Sequence, residues 1–116
     1  MDYIGFVRDL LIEELAVPVA TDMPKDRPTR MVMVDLEGDA SDEFILRPRI
    51  AITCWGRTDR DAHGLAVSAV QALQDAALDH DYLSAAQLET LSREEWSRTG
   101  QSRYLAIVEL VINTDE

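Results

Sequence analysis

Residues 30–55 read RMVMVDLEGDASDEFILRPRIAITCW, and this stretch decides the architecture. Met31, Val32, Met33 and Val34 follow one another without a polar interruption, as in a strand with cover on both faces. The run gives way to GDASDE at 38–43, where glycine, aspartate and serine favour reversal of the chain. A second extended segment starts near Phe44 and runs through Arg49 to Trp55. In it Ile50, Ile52 and Cys54 fall on one side, and Ala51, Thr53 and Trp55 on the other. Two such segments around a polar turn predict a hairpin. Pro48 has no amide hydrogen to contribute to a ladder, so it belongs at a strand edge, bend or bulge.

Upstream, Ile4, Val7, Leu11 and Leu15 recur at three- and four-residue steps, and Phe6 and Leu10 widen the stripe. Arg8, Asp9, Glu13 and Glu14 lie elsewhere, which predicts an amphipathic helix over 2–15 with Asp2 as its cap. Pro18 prevents its continuation, residues 17–20 are extended, and Pro24 and Pro28 mark an exposed loop. Downstream, Thr58 or Asp59 caps a second helix. Ala62, Leu65, Ala66, Ala69, Leu73 and Ala76 keep helical spacing to about Leu78. Its alanines let it lie close to a sheet. The pattern breaks at 79–82. Leu88 and Leu91 fit a helix or a strand equally well, whereas 103–113 alternates as a strand.

The order helix, strand, strand, helix, strand, strand lacks βαβ alternation. It predicts an α+β fold with a mostly antiparallel sheet of about four to five strands and two helices packed on one face. The length of 116 residues suits one domain spanning 1–116. Both faces of the last strand and of residues 31–34 are rich in apolar side chains. Either the helices cover that surplus between them, or some of it is an interface.

Asp and Glu number 22 against 11 Lys and Arg, a net charge of -11 that disfavours phosphate. The densest basic stretch, Arg47, Arg49, Arg57 and Arg60, is interleaved with Asp59 and Asp61, so general nucleic-acid binding is not expected. The lone Cys54 excludes an intrachain disulfide, and His63 and His80 are too few to complete a metal cluster with it. This usage suits a reducing cytoplasm. The opening residues carry acids and no basic leader, and read as neither signal peptide nor membrane span.

Motifs for chemistry are sparse. The run Asp35, Glu37, Asp39, Ser41, Glu43 suggests a calcium loop, but an EF-hand needs glycine sixth and glutamate twelfth. Counted from Asp35, those places hold Ala40 and Leu46, so a solvated hairpin tip is the better reading. His80 lies between Asp79 and Asp81, and His63 follows Asp61, so either could be a base oriented by a carboxylate. The plainer reading sets His80 at a helix C-terminus and His63 in an exposed first turn. No nucleophile elbow, Walker loop, dinucleotide fingerprint, HExxH or CxxC occurs, and Cys54 alternates with core residues. No catalytic residue, metal or cofactor is therefore expected. Trp96 stands among Ser92, Arg93, Glu94, Glu95, Ser97 and Arg98, where a partner contact would explain an aromatic in polar sequence. Trp55 reads first as core and second as interface.

Several segments, taken in order, carry a resemblance that spans nearly the whole chain. They are LAVPV at 15–19, Met23 and Pro24 with Arg27 and Pro28 before residues 31–34, and Arg47 and Pro48 with IAITCW at 50–55. The alanine-rich second helix and GQSRY at 100–104 complete the series. In this order the chain resembles the small tail terminator, or tail completion, proteins of long-tailed bacteriophages. Residues 82–98 depart from the pattern. The resemblance implies a structural subunit without an active site, assembled in a homo-oligomeric ring, typically a hexamer. Such a ring caps the tail tube protein and presents its other side to the head–tail connector protein. DNA would pass through the lumen without specific binding, no membrane would be involved, and the subunit would move from host cytoplasm to virion tail. Trp96, Trp55, Arg103 and Tyr104 are then the interface candidates. A head-closure protein of the neck shares the ring and differs in its partners. A small-ligand or regulatory binding module remains the reading from another class.

Overall fold

Residues 31–39 and 48–55 pair as the hairpin their pattern predicts, with Met31 opposite Trp55 and Leu36 opposite Ile50. The computed structural model describes residues 2–26, 28–42, 45–79, 83–95 and 102–113. Phe44, His80, Tyr82 and Trp96 lie outside them. In chain order the elements are α1 (Tyr3–Glu14), β1 (Val19–Ala20), β2 (Met31–Asp39), β3 (Ile45–Leu46), β4 (Pro48–Trp55), α2 (Asp59–Asp79), β5 (Leu83–Glu95) and β6 (Ser102–Asn113).

β2 pairs with β4 and β4 with β6, both antiparallel. Val108 of β6 faces Ile50 and Leu88 at once, so β5 must occupy the opposite edge of β6 from β4. β1 adds two parallel pairs to the outer edge of β2, which makes the sheet mixed. β3 and β4 share one unbroken register against β6, from Ile45↔Asn113 to Trp55↔Arg103. They are a single lane interrupted at Arg47, beside Pro48, whose nitrogen carries no hydrogen for the ladder. Six strand segments thus occupy five lanes.

Across the hairpin the register shifts between Leu36 and Gly38, so Glu37 is bulged. At the tip, the Ser41 amide donates to Asp39 Oδ1 at 2.9 Å and the Ile45 amide to Asp42 Oδ1 at 2.8 Å. Short polar side chains here satisfy the amides that a reversing chain leaves unpaired.

Asp2 caps α1 by accepting the Gly5 amide at 3.0 Å, and Leu15 ends the helix in extended conformation. Thr58 caps α2, its Oγ1 accepting the Asp61 amide at 3.1 Å. Between β4 and α2, Gly56 is forced by crowding: a side-chain carbon there would strike the backbone of Ala62. The helix consequently turns directly off the strand.

Val7 and Leu11 of α1, the stripe Leu65, Ala66, Ala69 and Leu73 of α2, and Val32, Val34, Ile50, Ile52, Cys54, Ala106, Val108 and Leu110 of the sheet form one core. These sheet residues share a single face, so both helices pack on it. The fold is α+β with two helices on one side of a curled sheet. The segment around Leu88 and Leu91, ambiguous in sequence, is the strand β5. A register shift between Leu88 and Thr90 brings Leu88 opposite Val108 and Leu91 opposite Ala106, on the same face although three residues apart. The bulge thereby imitates a helical period. Among the described residues, no helix is long and apolar enough to cross a membrane.

Candidate functional site

Among the described residues, no helix packs on the second face of the sheet. Strand alternation brings Met31, Met33, Ala51, Thr53 and Trp55 to it, together with Arg103, Leu105, Ile107, Glu109 and Val111 of β6. Met31 and Trp55 are 0% exposed and Ile107 is 7% exposed, yet all three stand outside the helix-facing core. Met33, Ala51, Thr53, Leu105 and Val111 are half-buried. The middle of this face is an apolar, threonine-containing strip.

Rows of charge border the strip. At one end Met31, Trp55, Arg103 and Glu94 stand side by side across four lanes. The Arg103 guanidinium lies 5.8 Å from the Trp55 ring centroid, and its Nε is 3.3 Å from Glu94 Oε1. At the other end Arg49 reaches Glu89 through Nε and Nη2, each at 2.9 Å, while Arg47 lies 3.7 Å from Glu109. The hydrogen bond and charge of Glu89, helped by Glu37 and Glu109, raise the Arg49 pKa above its ordinary value. These pairs are partly exposed, so water and salt screen them; their effect is to fix side-chain direction.

Of the four interface candidates, the structure brings Trp55 and Arg103 together in that row. Trp55 is buried within its own chain, which is the first of its two readings. Tyr104 falls on the opposite face, packed against the core and edge-on to His63 with ring centroids 5.1 Å apart. Trp96 lies outside the described residues, as does His80. His63 is exposed in the first turns of α2. Burial pushes the Cys54 thiol up to about 12, so it behaves as a small core side chain rather than a nucleophile. Among the described residues, no three of His, Cys, Asp and Glu gather as a metal ion requires.

A depression that sequence reading missed lies at the start of α2. Arg30, Thr58, Arg60, Asp61, Gly64, Leu65 and Ser68 line it, enclosing about 460 Å³ open to solvent. Asp61 anchors one side, accepting the Arg57 amide and Arg30 Nε through Oδ2, both at 2.9 Å. Those two donors, the amide foremost, hold the Asp61 carboxyl below its ordinary pKa. Asp59 is depressed in the same direction by hydrogen bonds from Ser102 and then Arg93, whose Nε is 3.1 Å away. Four arginines, Arg30, Arg57, Arg60 and Arg93, thus stand against two aspartates in a chain whose overall charge is -11. The only signal in the sequence was the close spacing of Arg57 and Arg60; Arg30 joins them solely through the fold. No family model and no curated protein matches the chain.

Proposed function

We propose that the protein is a structural subunit that assembles with copies of itself into a ring, in the manner of the tail terminators its sequence resembles. The ring, a hexamer on that likeness, would cap a phage tail tube, join it to the head connector, and leave a lumen for DNA. The observation that supports this reading is the helix-free sheet face, where Met33, Ala51 and Leu105 remain half-buried between rows of ion pairs. Apolar surface framed by oriented charge is the composition of a contact between subunits, which removes the strip from water and uses the charges for register. The chain's net charge of -11 also suits a channel through which phosphate slides without sticking.

The test combines the purified protein with purified tail tubes and examines tube ends by electron microscopy, alongside mass measurement of the free protein. Rings at tube ends support the proposal. A protein that stays monomeric and leaves the ends bare would sink it, and binding to head connectors alone would move the role to head closure.

A further inference from the structure

Six arginines, Arg8, Arg30, Arg47, Arg49, Arg93 and Arg103, each lie within salt-bridge distance of a carboxylate. Arg57 and Arg60 are different. Both are exposed, and neither guanidinium takes part in a salt bridge among the described residues. Arg60 lines the depression at the start of α2, and Arg57 adjoins it through the backbone bond to Asp61. The Asp61 amide already donates to Thr58 and the Arg57 amide to Asp61, so the feature that distinguishes this place is its guanidinium groups.

The complementary feature stands at the far end of the same hairpin. Asp35, Glu37 and Asp39 are exposed on the last part of β2 and make no salt bridge among the described residues. Arg47 and Arg49, their nearest arginines in the register, already face Glu109 and Glu89, and Glu37 acts on Arg49 only from beyond salt-bridge distance. The end of β2 is acidic; the depression is concave and rich in arginine. β2 spans 9 residues, with Met31 paired to Trp55 beside the depression and Asp39 at the tip. At about 3.3 Å per residue, Asp35, Glu37 and Asp39 lie roughly 13, 20 and 26 Å along the strand from Met31, beyond the reach of a salt bridge to the depression within one molecule.

We infer that the basic depression around Arg57 and Arg60 receives the acidic hairpin end, Asp35, Glu37 and Asp39, of a second copy of this chain. Two different surfaces then meet at every junction, a heterologous contact that leaves one of each free on a pair and so propagates until a ring closes. This inference rests on the ring reading and supplies it with a polarity. Charges at such a contact set register and rate of encounter, and they act over about 8 Å at physiological ionic strength, so assembly should weaken as salt rises.

The experiment uses two charge-reversed proteins, Arg57→Glu/Arg60→Glu and Asp35→Lys/Glu37→Lys, all four positions being exposed. Association is followed by analytical ultracentrifugation with and without tail tubes, and circular dichroism verifies folding. Each variant alone should associate at least about tenfold more weakly than the unaltered protein. An equimolar mixture should recover assembly, because every junction in an alternating ring then joins opposite charges. The fourfold variant should recover it too. If the unaltered protein forms rings and both variants do so equally well, or if mixing restores nothing, the inference is overturned while the ring reading stands. If the unaltered protein never assembles, both fall. If the arginine reversal leaves assembly intact but abolishes retention of duplex DNA on a filter, the arginines serve phosphate and the inference is overturned.

Discussion

Arg103 sits directly across the ladder from Trp55 and lies over its ring, 5.8 Å from the guanidinium carbon to the ring centroid. The arginine lies against the aromatic surface, and Glu94 on the next lane holds it in place. Arg103→Ala should destabilise the fold by about 1–2 kcal/mol, from lost cation–π and packing contributions more than from the exposed ion pair. Trp55→Ala should cost about 3–5 kcal/mol, since it empties a fully buried site. Urea unfolding measures both; equal losses would contradict this ordering.

Gly56→Ala is expected to destabilise by about 1–3 kcal/mol, because the added carbon meets the Ala62 backbone and α2 must shift on β4. Gly64→Ala, where the added carbon meets nothing within 4 Å, should be neutral or mildly stabilising. Thermal unfolding of the two variants checks the contrast.

Asp59 and Asp61 have folded-state pKa values below their ordinary value, so the folded chain holds those protons less tightly than the unfolded chain does. Their stabilising contribution is complete above the unfolded carboxylate value of about 4 and is lost as pH falls through the depressed folded values. Unfolding free energy should therefore decline below about pH 4 with a slope that Asp61→Asn reduces. A variant whose acid limb matches that of the unaltered protein would contradict the assignment.

The Cys54 thiol, buried and raised to about 12, should resist alkylation in the folded protein at neutral pH and react at the rate of global unfolding. Iodoacetamide labelling followed by mass spectrometry in increasing urea measures this. Rapid labelling in native buffer would place the thiol at the surface.

The hairpin and both helices were legible in sequence because their signals are local: period two around Ile50, Ile52 and Cys54, and a three-to-four step through Leu65, Ala69 and Leu73. β5 was not, since its bulges replace period two with the Leu88 and Leu91 spacing of a helix. Of the interface candidates, Arg103 and Tyr104 are neighbours that strand alternation sends to opposite faces, Arg103 beside Trp55 and Tyr104 against His63. The basic depression depends on contacts such as Arg30 to Asp61, 31 residues apart, which no periodicity encodes.

β5, the outermost lane beyond β6, is 13 residues long, and among the described residues it pairs with β6 alone. A strand of that length at a rim invites runaway stacking into amyloid-like fibrils. Its two kinks prevent this: an incoming strand finds no straight template longer than residues 90–95, and Arg93 and Glu94 lie within it. The rim of the sheet is thus unsuited to indefinite growth.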